Sequence, residues 1–189
     1  MEHSDLQRYV VGVLERLKVP YFITGSTATI FFGEPRFTND LDVVADLTPG
    51  HLPQFLAAFS SDDFYVSEDA VRSAIASRGQ FNIIHPTSGL KVDVMLPKGA
   101  ALDRSRLVRR VRVHPAEDYE AWFSSPEDII LKKMDFYREG GSEKHLRDIT
   151  GVMKIRGDKI DRAYIANWVD SLGLKDIWDN ILRRIDEKS

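Results

Sequence analysis

The chain contains no cysteine. Disulfides, thiolate zinc sites and a cysteine nucleophile are therefore excluded, and the composition suits a reducing cytoplasm. Also missing is any apolar run of the roughly 18–20 residues that a bilayer-spanning helix needs. The amino end, MEHSDLQRYV, is polar and amphipathic, unlike a signal peptide. There is no internal repeat and no low-complexity tract. Positive charge is in slight deficit, with 26 Lys and Arg against 29 Asp and Glu. That balance argues against holding nucleic acid by global charge alone but leaves a local basic patch open. What remains is an ordinary globular composition: 189 residues, 43% hydrophobic and 29% charged. This is enough for one α/β domain with a helical appendage. The expectation is a cytoplasmic protein with no membrane partner.

Periodicity places the elements. Leu6, Val10, Val13, Leu14 and Leu17 fall on one helical face behind Ser4 as N-cap, and Pro20 stops that helix. Tyr21 to Thr24 reads as a strand that breaks at Gly25-Ser26 into a short helix, which Gly33 and Pro35 end. Asp40 to Val44 reads as a strand. Helices are expected at His51–Phe59 and Val71–Ala76, and strands at Phe64–Val66 and Val108–Val113. Phe81–His85 and Lys91–Leu96 form a hairpin around Pro86-Thr87-Ser88-Gly89. At Ser125-Pro126-Glu127-Asp128 the pattern turns helical, with Ser as N-cap, Pro at the first position and acids in the first turn. The expected domains are an α/β domain over 1–124 and a helical part over 125–189 packed against it.

The residues that carry chemistry are acids inside apolar strands. Asp40 and Asp42 flank Leu41 and project to one side, about 6.8 Å apart along the strand. Asp93 repeats the arrangement within Lys91-Val92-Asp93-Val94-Met95. Three partly buried carboxylates repel unless protons or cations neutralise them. Hard oxygen donors select Mg²⁺ or Mn²⁺, and two such ions form a clamp for in-line attack at phosphorus. Gly25 lets backbone approach a ligand, and Ser26 and Thr27 stand at a helix N-terminus suited to phosphate.

Taken together, Gly25-Ser26, Arg36, Thr38, Asp40-x-Asp42 and Asp93 resemble the signature of the DNA polymerase β-like nucleotidyltransferase superfamily. Ser125 to Lys133, followed by Lys144-His145-Leu146-Arg147-Asp148-Ile149, is similar to the compact bacterial branch that includes AbiEii-type toxins. The resemblance spans roughly Tyr21 to Met153. It implies a mixed sheet flanked by helices with a C-terminal helical bundle, and transfer of a nucleoside monophosphate from a nucleoside triphosphate with release of pyrophosphate. It implies two Mg²⁺ ions, with Mn²⁺ as substitute, on Asp40, Asp42 and Asp93 as catalytic and metal residues. Gly25, Ser26, Arg36, Thr38 and Lys133 are the implied nucleotide and phosphate contacts. The acceptor is left open among tRNA, a protein hydroxyl and a small hydroxylated molecule, with a cognate antitoxin as a candidate partner. A non-catalytic nucleotide-binding module is the rival.

Several other residues have plainer readings. Lys133 falls on the apolar face of its helix and needs a partner, whereas Lys132 lies at the edge. Asp148 is expected in a structural ion pair, with Lys133 or in the neighbourhood of Arg147, and His145 is a surface-edge histidine. Arg36 reads equally as a phosphate contact or as a partner for an acid on the next strand. Arg104, Arg106, Arg109, Arg110 and Arg112 read as a solvated face, because Arg110 and Arg112 alternate with Val111 and Val113. Trp122, Trp168 and Trp178 read as core.

Overall fold

A computed structural model describes residues 1–59 and 62–187, and for Asp186 the backbone alone. The first helix, α1 (His3–Arg16), buries Leu6, Val10, Val13 and Leu14 as their spacing requires. Its N-cap is Glu2 and not Ser4, with the Glu2 amide donating to the Asp5 carboxylate. The chain continues through β1 (Tyr21–Thr24), α2 (Gly25–Phe32), β2 (Asp40–Ala45), α3 (Leu52–Ala58), α4 (Glu68–Ser77), β3 (Gln80–His85) and β4 (Leu90–Met95). Then follow α5 (Ala101–Arg109), β5 (Val111–Ala116) and β6 (Tyr119–Phe123). The helices α6 (Pro126–Gly140), α7 (Glu143–Arg156), α8 (Arg162–Leu172) and α9 (Lys175–Asp186) come last. Contacts divide the chain into two units, Met1–Thr27 with Phe37–Ser124, and Ala28–Arg36 with Ser125–Ser189.

The first unit is built on one mixed sheet in the order β3-β4-β2-β1-β6-β5. β2 runs antiparallel to β1 and parallel to β4, and β1 runs parallel to β6. Alternation fixes the register. Leu41, Val43, Val92, Val94, Phe81 and Ile83 face each other across β2, β4 and β3, and all are buried. Each such side chain contributes about 1.5–3 kcal/mol on burial, and a one-residue slip would expose the whole set. Aromatic rings extend this core: Phe55 of α3 meets Phe81 edge-on at 5.6 Å, and Tyr9 of α1 stacks on Phe64 at 5.0 Å.

Two strand expectations are corrected. Phe64–Val66 reduces to a single bridge between Tyr65 and Ile84. Within Val108–Val113, the residues to Arg109 belong to α5, and the strand begins at Val111. The reason is local: Val108 is 83% exposed, so it supplies none of the burial that would favour extended chain. β6 pairs with β5 through Val113↔Ala121 and Val111↔Phe123, an edge hairpin the sequence reading did not include.

The second unit is helical. Ser125 caps α6, its hydroxyl oxygen accepting from the Asp128 amide while its O–H donates to the Asp128 carboxylate. Asp128 is fully buried and also accepts from the Tyr164 hydroxyl at 2.8 Å, which ties α8 to the start of α6. α6 packs against α7, burying Ile129, Ile130, Leu131 and Met134, while α7 buries Leu146, Ile149, Val152 and Met153. Gly33 permits close approach to α7, because a Cβ there would lie 3.1 Å from the Val152 amide nitrogen. No helix among the described residues is long and apolar enough to cross a membrane.

Candidate active site

The chemistry-bearing residues of the first unit collect on the polar face of its sheet. Across the parallel β2–β4 pair, Asp42 lies opposite Asp93 and Asp40 opposite Lys91. Facing residues project to the same side, and neighbouring strands are about 4.8 Å apart. Asp40, Asp42, Lys91 and Asp93 therefore share one patch, the counterpart of the buried Leu41, Val43, Val92 and Val94. Asp40 is exposed, while Asp42 and Asp93 are half-buried. From the other flank, Thr24 of β1 faces Asp42.

Gly25 comes next in the chain and sits at φ +60°. A Cβ built there would fall 1.9 Å from Asp42 Oδ2, 2.6 Å from its Cγ and 2.9 Å from its Cβ. Backbone and carboxylate meet this closely because residue 25 has no side chain. Ser26 and Thr27 open α2, the helix end whose amides and dipole favour anions. Thr27 Oγ1 donates to the Asp40 carbonyl at 3.1 Å, and Thr38 Oγ1 accepts from the Asp40 amide at 3.3 Å. Both threonines thus anchor the backbone from which the first acid projects.

Asp93 is held from two sides. Asn82, its register partner on β3, donates to Asp93 Oδ1. The Lys91 ammonium reaches the same oxygen at 2.9 Å. Among the described residues, no group of three or more acid or histidine side chains is placed to hold a metal ion. The donor chemistry nonetheless fits a divalent cation: three carboxylates on adjacent strands, all oxygen ligands, with a cationic ammonium already on one of them.

In the second unit, Arg36 and Lys133 share one carboxylate. Lys133 Nζ lies 2.6 Å from Asp148 Oδ2, and Arg36 Nε lies 3.3 Å from Asp148 Oδ1. Side-chain exposure is 7% for Lys133 and 9% for Asp148, so the pair is buried. Burial pulls the Lys133 ammonium below its ordinary value, against the opposing bond to Asp148. Burial would push Asp148 up, but its bonds to Lys133 and then Arg36 leave it below the usual carboxylate value. The ion pair expected for Asp148 is present, and Arg36 joins it. A cavity of about 270 Å³ in the same unit is lined by Arg36, Asp148, Lys144 and Arg147, with Glu34 and Thr29. Positive charge is in surplus there.

Several of these residues escaped the sequence reading. Lys91 could have been found, since residue i−2 on a strand shares the face of residue i. Asn82 could have been found from the hairpin register. Arg106 could not, because α5 was unforeseen. It corrects the solvated-face reading: only 7% exposed, it lies over the Phe22 ring at 4.9 Å and donates to Thr24 Oγ1 at 3.4 Å. Trp122 and Trp168 are half-buried instead of core, and Arg110 and Arg112 lie over the Trp122 ring at 4.7 and 5.4 Å. Trp178 is buried as expected.

No protein-family model matches the chain, and no protein of curated function matches it in sequence. Solved structures do match. The structure of ANT(2")-Ia in complex with adenylyl-2"-tobramycin aligns with a TM-score of 0.58 at 12% identity, covering 90% of this chain and 98% of that one. The lincosamide antibiotic adenylyltransferase LnuA, lincomycin-bound, aligns with a TM-score of 0.55 at 13% identity, covering 82% and 98%. JHP933 from Helicobacter pylori aligns at 0.50 with 18% identity, covering 80% of this chain, which spans only 65% of that protein. The likeness is one of fold: a mixed sheet flanked by helices, as in these adenylyltransferase structures.

Proposed function

We propose that this chain is a metal-dependent nucleotidyltransferase that moves a nucleoside monophosphate from a nucleoside triphosphate to an acceptor hydroxyl. The observation that carries the reading is the register Asp42↔Asp93, with Asp40 on the same face and Gly25 closing on Asp42. Asp40, Asp42 and Asp93 would hold two Mg²⁺ ions, with Mn²⁺ as substitute. When bound, the ions would supply charge neutralisation on the phosphates and acidify the acceptor hydroxyl.

The chain's own work is positioning. The Gly25-Ser26 turn holds phosphate oxygens against the start of α2. Asp93 accepts the proton as the acceptor oxygen bonds to the α-phosphorus. The bond from that phosphorus to its bridging oxygen breaks, and pyrophosphate leaves. Thr38 steadies the Asp40 backbone by accepting its amide hydrogen bond. Arg36 and Lys133 of the second unit are proposed as phosphate contacts, on the ground that two cations share the one Asp148 carboxylate. Little covalent chemistry falls to the protein in such a reaction, so placement and charge dominate.

The acceptor reading is a small hydroxylated compound, supported by a fold shared with antibiotic-modifying adenylyltransferases. An RNA acceptor, in a toxin with a cognate antitoxin, is the alternative. The test is incubation with each α-labelled NTP and Mg²⁺ against three acceptor pools: aminoglycosides and lincosamides, total RNA, and protein. Label in the first pool supports the acceptor reading, and label in RNA supports the alternative. A second reading, nucleotide binding without turnover, is favoured by the engagement of Asp93 with Lys91 and Asn82. It predicts NTP binding and no label anywhere.

A further inference from the structure

We infer that Lys91 is a tethered counter-cation, whose ammonium stands on Asp93 within the acidic patch until a divalent ion displaces it. The inference rests on the reading of Asp40, Asp42 and Asp93 as metal-binding residues. Its basis is the juxtaposition on the sheet: Lys91 lies opposite Asp40, two residues before Asp93, on the face shared by all three acids. Its Nζ is 2.9 Å from Asp93 Oδ1.

Three clustered carboxylates without a cation would repel one another. The lysine offsets part of that penalty in the metal-free protein. The arrangement is also built for release. Lys91 is 46% exposed at its side chain and Asp93 30%, so the pair is screened by solvent and weak. The four-carbon stem lets the ammonium swing into water without moving the strand. Asn82 donates to the same oxygen of Asp93 and keeps that carboxylate oriented when the lysine leaves. Lys91 is thus a positioning residue, and it sets the affinity of the patch for divalent ions.

Mn²⁺ binding followed by electron paramagnetic resonance, with no nucleotide present, tests this on the full chain. The proteins are wild type, Lys91→Met, Lys91→Gln, Lys91→Arg and Asp42→Asn, each with its melting midpoint in EDTA and in excess Mg²⁺. Losing an exposed ion pair that competes with the metal should tighten Mn²⁺ binding roughly fivefold in Lys91→Met and Lys91→Gln. Lys91→Arg, which keeps the charge, should bind as wild type does. The two neutral variants should melt below wild type in EDTA and regain the difference in Mg²⁺. Should they bind Mn²⁺ no more tightly than wild type while Asp42→Asn loses binding, the lysine is not a displaced cation and the acids still hold metal. Equal binding by Asp42→Asn and wild type, or no binding by any protein, would overturn the metal reading and this inference with it.

Discussion

Replacing Gly25 with alanine probes the turn and the acid together. Residue 25 sits at φ +60°, a conformation that costs an L-residue about 1–2 kcal/mol. The new methyl would also lie 1.9 Å from Asp42 Oδ2 and 2.9 Å from Asp42 Cβ. Rotating the carboxylate clears the first contact but not the second, so β2 or the start of α2 must shift as well. The backbone cost alone should lower the melting midpoint by roughly 2–8 °C for a chain of this size. Turnover should fall further, at least about 100-fold, because displacement of the reacting groups by even an ångström has that effect. The assay is thermal unfolding by circular dichroism beside pyrophosphate release, for Gly25→Ala, Asp42→Ala and the double variant. In the Asp42→Ala background the stability cost of Gly25→Ala should shrink by at least about 0.5 kcal/mol, since Oδ2 and Cγ are gone. Strict additivity, or a Gly25→Ala protein with wild-type stability and turnover, would show that the two residues do not constrain each other.

The buried ion pair gives a second set of outcomes, read by urea unfolding. Asp148→Ala removes the carboxylate that Lys133 and Arg36 share and should cost about 3–5 kcal/mol, whereas Lys133→Met should cost less because Arg36 still neutralises Asp148. The same carboxylate predicts acid lability. Its folded value lies below its unfolded one, so its stabilisation is fully present above the ordinary carboxylate value of about 4 and is lost as pH falls through the depressed value. Unfolding midpoints should therefore drop below about pH 4 more steeply in wild type than in Asp148→Asn. Tyr164→Phe removes a 2.8 Å bond to the buried Asp128 and should cost about 1–3 kcal/mol by the same assay, with Mn²⁺ binding by the first unit unchanged.

The acidic patch was legible in the sequence because a period of two residues is stringent. Once Leu41, Val43, Val92 and Val94 are read as buried, Asp40, Asp42 and Asp93 must lie on the opposite face. The pairing of β2 directly with β4 was not legible, since parallel register depends on partners distant in sequence. It is this pairing that sets Asp42 opposite Asp93. The start of α6 was legible from Ser125-Pro126, whose capping chemistry is local. Arg106 was hidden for the converse reason. Its helix has weak amphipathy, and its burial comes from Phe22 and Thr24, more than eighty positions away in the chain. The grouping of Ala28–Arg36 with the C-terminal helices likewise depends on long-range contacts such as Arg36 with Asp148 and Arg156 over Phe32.

The central claim is that Asp40, Asp42 and Asp93 form a metal-dependent centre for nucleotidyl transfer. Asp42→Asn tests it most directly, because the change keeps the shape of the side chain and removes only its charge. Pyrophosphate release is measured with each NTP, the acceptor pools and a Mg²⁺ titration, with circular dichroism confirming the fold. The account predicts Mg²⁺-dependent release in wild type that falls by at least about 1,000-fold in Asp42→Asn, consistent with loss of a group that acts chiefly in the transition state. The variant should be as stable as wild type or slightly more so, since one of three repelling charges is gone. An Asp42→Asn protein that keeps wild-type turnover, or one that loses turnover only by unfolding, would contradict the account.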